Sequence, residues 1–313
     1  MRTFKKSIIA FSIFSIFSSS HASVNEKPIA GKVYDDVLIY DDEGNKTASF
    51  QDTTEGISKD YIFNKGAIFD GSEGTTAPTI LVHNWGRNPN VNPDLYNTKI
   101  NFFMGEVTDL IVNNYRGYDA IDVWQGATLS IKNGNICLES GMVNNINMDN
   151  EQSAIHMQDT GTIVIDSESV LIENKRADRD NSGGISIAGD NNVVDVALSK
   201  TFTEKNVVFG IAAQADEVNS KALVKINADE GIDINTYFRD VTSLSGYKGA
   251  GLYFLAYHES TAKTQADLTS KNGSVNIKAQ GYGYYGYGNV NSSISSLKDD
   301  VNIYGKLKNA VYL

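Results

Sequence analysis

A short strand that opens on a small residue followed by an apolar one recurs down this chain, and no other feature constrains the fold as much. It appears as Ala120-Ile121-Asp122-Val123, Ala154-Ile155-His156-Met157, Gly184-Ile185-Ser186-Ile187, Gly210-Ile211-Ala212-Ala213 and Gly251-Leu252-Tyr253-Phe254. The spacings between the small residues are 34, 30, 26 and 41, and a weaker sixth copy is expected at Gly286-Tyr287. Two further runs with alternating apolar residues follow each copy. The second strands are read at 127–131, 161–166, 192–197, 222–228 and 262–268. The third strands are read at 136–140, 170–174, 201–206, 231–235 and 274–279. Asn, Gly, Asp and Ser fill the gaps, and helical periodicity is almost absent, so the chain reads as all-β.

A unit of three short strands cannot bury its own apolar face. Stacking the units in parallel pairs each strand with its copies above and below and encloses a continuous core. The expected fold is therefore a right-handed parallel β-helix with three strands per coil. Its inward columns would be Ile121, Ile155, Ile185, Ile211 and Leu252 from the first strand. From the third strand they would be Ile136, Val170, Ile232 and Val275, then Leu138, Ile172, Ile234 and Ile277. β-Branched residues suit such a pleated, buried surface. Unequal periods place the insertions in turns outside the core. The rival sandwich or antiparallel barrel predicts two-residue hairpins and no three-strand repeat.

The domain reading follows. Residues 1–22 are a signal peptide: Arg2, Lys5 and Lys6 precede an apolar run too short to span a bilayer, and Ser20-His21-Ala22 fits a small-x-small cleavage signal between Ala22 and Ser23. Its removal takes the formal net charge from -11 to -14. Residues 23–60, with the turn-rich stretch from Asp41 to Asn45, read as an N-terminal cap with a hairpin, with or without an early partial coil. Residues 61–313 form the solenoid, whose coils are still running at Leu313, so it is expected to be cut off at its C-terminal end. The mature chain offers no transmembrane helix.

The acidic balance, 38 Asp+Glu against 27 Lys+Arg, excludes electrostatic nucleic-acid binding. A single Cys excludes a disulfide framework and a Cys-rich zinc site. No G-x-S-x-G motif is present, and no loop supplies the six oxygens that calcium needs. The charge run Arg176-Ala177-Asp178-Arg179-Asp180 and the pairs Asp35-Asp36, Asp41-Asp42 and Asp299-Asp300 read as solvated turns. His83, His156 and His258 lie in or near separate strands far apart in sequence, and His156 should point outward as a surface histidine. Trp85 and Trp124 read as core or rim aromatics, and Cys137 as a half-buried outward residue. We therefore expect no catalytic residue, no cofactor and no metal. The segment Gly281 to Gly288 reads first as a turn whose rings cover the neighbouring coil; the alternative makes Tyr282, Tyr284, Tyr285 and Tyr287 ligand contacts, since tyrosine offers rigid amphipathic area.

The leader followed by coils such as Gly210-Ile211-Ala212-Ala213, Val224-Lys225-Ile226-Asn227-Ala228, Gly231-Ile232-Asp233-Ile234-Asn235 and Gly273-Ser274-Val275-Asn276-Ile277 resembles an autotransporter passenger of Gram-negative bacteria. The resemblance covers most of 117–313 and is one of pattern, not of an active-site motif. It implies an N-terminal fragment lacking the outer-membrane translocator barrel. It also implies secretion across the inner membrane, with display at the cell surface or release outside, or else periplasmic residence. An adhesive role follows, with host or extracellular ligands as partners. The alternatives are an extracellular polysaccharide-acting enzyme and a non-functional fragment. The Gly-His-Gly and Arg-x-Lys sites of pectin-degrading β-helix enzymes find no match here.

Overall fold

Period-two alternation leaves one face of every strand apolar, and in the computed structural model those faces close on one another. The structure describes residues 23–41, 48–51, 58–71, 78–84, 98–114, 119–140, 152–174, 182–189, 191–215, 217–238, 247–257 and 261–313. All strand pairings among them are parallel. They form three sheets of ten, nine and nine strands, and the chain visits the sheets in turn. This is a parallel β-helix with three strands per coil. At about 4.8 Å per rung the stack is roughly 45 Å long. Residues 1–22, expected to be a signal peptide, lie outside the described residues, as do Trp85, His258 and the run 176–180; Ser23 begins the first described strand.

Sheet 1 holds the first strand of each coil: Ala48–Gln51, Ile80–His83, Ile121–Trp124, Gln152–Gln158, Ser182–Ala188, Ile211–Ala215, Leu252–Ala256, Tyr284–Gly288 and Val311–Tyr312. Ile121, Ile155, Ile185, Ile211 and Leu252 are in register and fully buried, as the repeat predicts. Sheet 2 holds the second strands, from Val33–Tyr34 to Val290–Ser296. Sheet 3 holds the third strands, from Ser23–Asn25 to Val301–Gly305. In sheet 3 one further coil joins the expected columns. Phe202 continues Ile136 and Val170, and Glu204 continues Leu138 and Ile172.

Two expectations meet a different structure. The Val33–Gln51 region contains no hairpin among its described residues. Val33–Tyr34 pairs in parallel with Ser58–Phe63, and Ala48–Gln51 pairs in parallel with Ile80–His83, so the coil pattern reaches back to the first described strands. Turn residues interrupt a strand without fixing the direction of the next one, and the described strands on either side of these stretches lie in different sheets. The sixth copy begins one small residue earlier than expected, because Leu252 pairs with Tyr284 and Gly283 takes the small-residue position. Alternating Gly and Tyr offers several equivalent registers, and only stacking on the coil below selects one.

The small residues have a steric cause. A Cβ at Gly184 would meet the Gly210 carbonyl oxygen at 2.5 Å, one at Gly210 the Gly251 oxygen at 2.4 Å, and one at Gly251 the Gly283 oxygen at 2.7 Å. At this corner the rungs approach backbone to backbone. The first coils are packed with aromatic rings instead: Phe102 stacks parallel to Phe69 at 5.9 Å and meets Phe63 edge-on at 5.5 Å.

Candidate functional site

The outward column of sheet 1 gathers most of the unusual chemistry. Strand register places Leu81, Asp122, His156, Ser186, Ala212, Tyr253, Tyr285 and Tyr312 one above another. The column changes from acidic, through imidazole and hydroxyl, to aromatic.

At its polar end His156 Nδ1 lies 3.1 Å from Asp122 Oδ1 and 3.7 Å from Asp119 Oδ2. The residue expected on the open surface does point outward, but its side chain is only 19 % exposed. Asp119 sits at the corner leading into the strand. The backbone N–H of Ser153 donates to its Oδ1 at 2.6 Å, and the Asn114 amide donates to its carbonyl. That anchoring leaves Oδ2 facing His156. Burial pushes the Asp119 carboxyl up to about 7, the neighbouring Asp122 charge adds to this, and His156 opposes it. One donor atom from each of the three residues lies within 4.8 Å of the others. The cluster adds a constellation to the sequence reading, which expected no metal-ligating set. The signal was present in the repeat: the 34-residue spacing that stacks Ala120 under Ala154 also stacks Asp122 under His156. Asp119 has no such marker, because corners vary between coils.

Towards the aromatic end, the described flanks of the longer 41-residue period, Phe238 and Tyr247, lie on the outer face. Phe238 and Tyr247 pack with Val208, Phe209 and Ala212 in a second apolar cluster outside the coil, and Tyr253 leans against it. Between this cluster and the strands lies a pocket of about 300 Å3, lined by Ser186, Ala212, Gln214, Tyr247, Tyr253 and Tyr257. Above it the rings of Tyr253 and Tyr285 stack at 4.8 Å, and those of Tyr285 and Tyr312 at 4.9 Å and 3°. Tyr282 packs against both Tyr285 and Tyr312, and Tyr287 is exposed. Tyr284 differs from the other candidate contacts. It faces the core beside Phe254, and its hydroxyl bonds Ser292 Oγ at 2.7 Å. Adjacent tyrosines in a strand face opposite sides, so Tyr284 and Tyr285 cannot share a surface.

The remaining sequence candidates are dispersed. His83 is buried, pairs with Ser49 Oγ at 3.1 Å, and is held neutral by burial, with its pKa lowered to about 4. Trp124 is half-buried on the outer face of sheet 1. Cys137 points outward and half-buried from sheet 3, between Ile111 and Leu171. Asp35, Asp299 and Asp300 lie at the surface, with Asp36 partly covered, and Asp299 accepts a hydrogen bond from Ser274. Comparison with protein families, curated proteins and solved structures finds no match to this chain. Among the described residues no helix is long and apolar enough to cross a membrane.

Proposed function

We propose that this chain is an exported β-helical passenger that works by binding, with the tyrosine column of sheet 1 as its contact surface. The observation that carries this reading is the run of three tyrosines stacked at successive rungs beside an open pocket. Stacked rings lose little freedom on binding, present a row of ring edges, and keep hydroxyls for hydrogen bonds. A saccharide or an extended polypeptide lying along the rod could contact Tyr253, Tyr285 and Tyr312 in succession. The leader sequence supports export, and the acidic surface supports a partner other than nucleic acid. The autotransporter resemblance supports display at the cell surface and an adhesive role.

The test is a screen of the secreted chain against immobilised glycans and host-cell surface proteins, with Tyr285→Ala and Tyr312→Ala in parallel. The expected outcome is saturable binding that each variant weakens about tenfold, since an aromatic contact is worth roughly 1–2 kcal/mol. Equal binding by wild type and both variants would remove the tyrosine column from the mechanism. Release of new reducing ends from a polysaccharide would replace the binding reading with an enzymatic one.

A further inference from the structure

We propose that Asp119, Asp122 and His156 form a binding site for a divalent transition-metal ion, with zinc as the best-suited cation. Three observations lead there. The donors have the right spacing: ligands held at 2.0–2.2 Å from a zinc ion sit roughly 3–4 Å from one another. The separations here are 3.1 and 3.7 Å, with one donor atom from each residue inside a 4.8 Å set.

The donors are also held in place before any ion arrives. Asp122 and His156 are fixed by adjacent rungs of sheet 1. Asp119 is fixed through Oδ1 by the Ser153 N–H and through its backbone carbonyl by Asn114 and Thr79. A hydrogen bond to the far oxygen of a ligating carboxylate is the outer-shell support that metal sites use.

The third observation is charge. Two carboxylates lie nearly out of water, with side-chain exposures of 10 % and 2 %, and one imidazole faces them. A divalent cation bound by all three side chains offsets the charge of both carboxylates at once. One imidazole with two carboxylates suits zinc, cobalt or manganese. Calcium requires six or more oxygens, which these residues do not supply. Imidazole coordination takes place through Nδ1, the atom that now faces both carboxylates. Residual exposure at His156 leaves a side from which water completes the coordination shell.

The experiment uses the full tag-free chain, dialysed against EDTA and titrated calorimetrically with zinc chloride, then with cobalt chloride under visible absorption. The expected result is one zinc per chain at micromolar affinity or tighter, and cobalt d–d bands that zinc abolishes. Asp122→Asn and His156→Gln should each weaken zinc by more than about a hundredfold, beyond what loss of an outer-shell partner usually costs. A double Asp299→Asn, Asp300→Asn variant, which removes exposed acidic groups only, should bind as wild type. The proposal is overturned by no saturable zinc binding up to about 100 µM, or by variants that keep wild-type circular dichroism and bind zinc equally well. Should either variant fail to fold, X-ray absorption of the zinc-loaded wild type decides. One imidazole among oxygen ligands supports the site, and any other histidine count overturns it.

Discussion

Glu204 is the residue least like its neighbours. It stands in an inward column between Ile172 and Ile234, fully buried, and neither carboxyl oxygen has a hydrogen-bond partner. Its oxygens occupy the space left by two glycines, since a Cβ at Gly184 would come within 2.3 Å of Oε1 and one at Gly210 within 2.8 Å of Oε2. Burial holds this carboxyl well above its ordinary 4.5. The unfolded chain releases the proton near that ordinary value while the folded chain retains it. Stability should therefore be greatest in acid and fall as the pH rises from about 4.5 towards the folded-state pKa. Glu204→Ile, which completes the isoleucine column, should stabilise the chain at pH 8 by about 1–4 kcal/mol. It should also flatten this pH dependence; urea titrations at pH 5 and pH 8 measure both. Equal pH slopes for wild type and variant would mean that Glu204 finds a partner in solution.

Within the strands, the rung-to-rung contact at the corner entering sheet 1 sets the tolerances. Gly210→Ala places a methyl against a backbone oxygen at 2.4 Å, and a carbonyl fixed in a ladder cannot move aside as a flexible side chain would. The rungs must part, at a cost of about 1–3 kcal/mol. Thermal melts should show a lowered midpoint for Gly210→Ala. Ser199→Ala, at a turn outside the sheets, should melt as wild type. The aromatic coils respond to the opposite change. Phe102→Ala removes a ring that touches Phe50, Phe63 and Phe69. It should cost about 3–5 kcal/mol by leaving a cavity that stacked strands cannot close.

A solenoid is held by nearest-neighbour contacts, so damage should stay local. Hydrogen exchange on Phe102→Ala should show lost protection in Ser58–Phe63, Lys99–Met104 and Thr128–Lys132, which pair directly. Protection at Lys221–Ala228 and Lys263–Ser270, four to five coils away, should be unchanged. Uniform loss along the whole chain would show instead that the rod unfolds as one cooperative unit. The same geometry explains why one face collects function. Parallel stacking turns a residue type repeated at one register position into a continuous column, so Tyr253, Tyr285 and Tyr312 form a surface although each is about thirty residues from the next.

By itself the sequence determined the three-strand period, the inward columns and the parallel β-helix. Each of these rests on local alternation and on spacing, both of which a linear pattern carries. Ile121 to Leu252 could be aligned without coordinates because one apolar face must be buried in every coil. The register of Gly283, the parallel pairing of Val33–Tyr34 and the inward turn of Tyr284 were decided by stacking, because Gly-Tyr alternation and turn residues permit several local solutions of similar energy. The site divides in the same way. Asp122 under His156 was implicit in a spacing of 34, but Asp119 reaches them from a corner, and the pocket beside Ser186 takes part of its wall from Tyr247, which stands outside the repeat. Corners and insertions obey no period, so their side chains acquire neighbours only when the coils close.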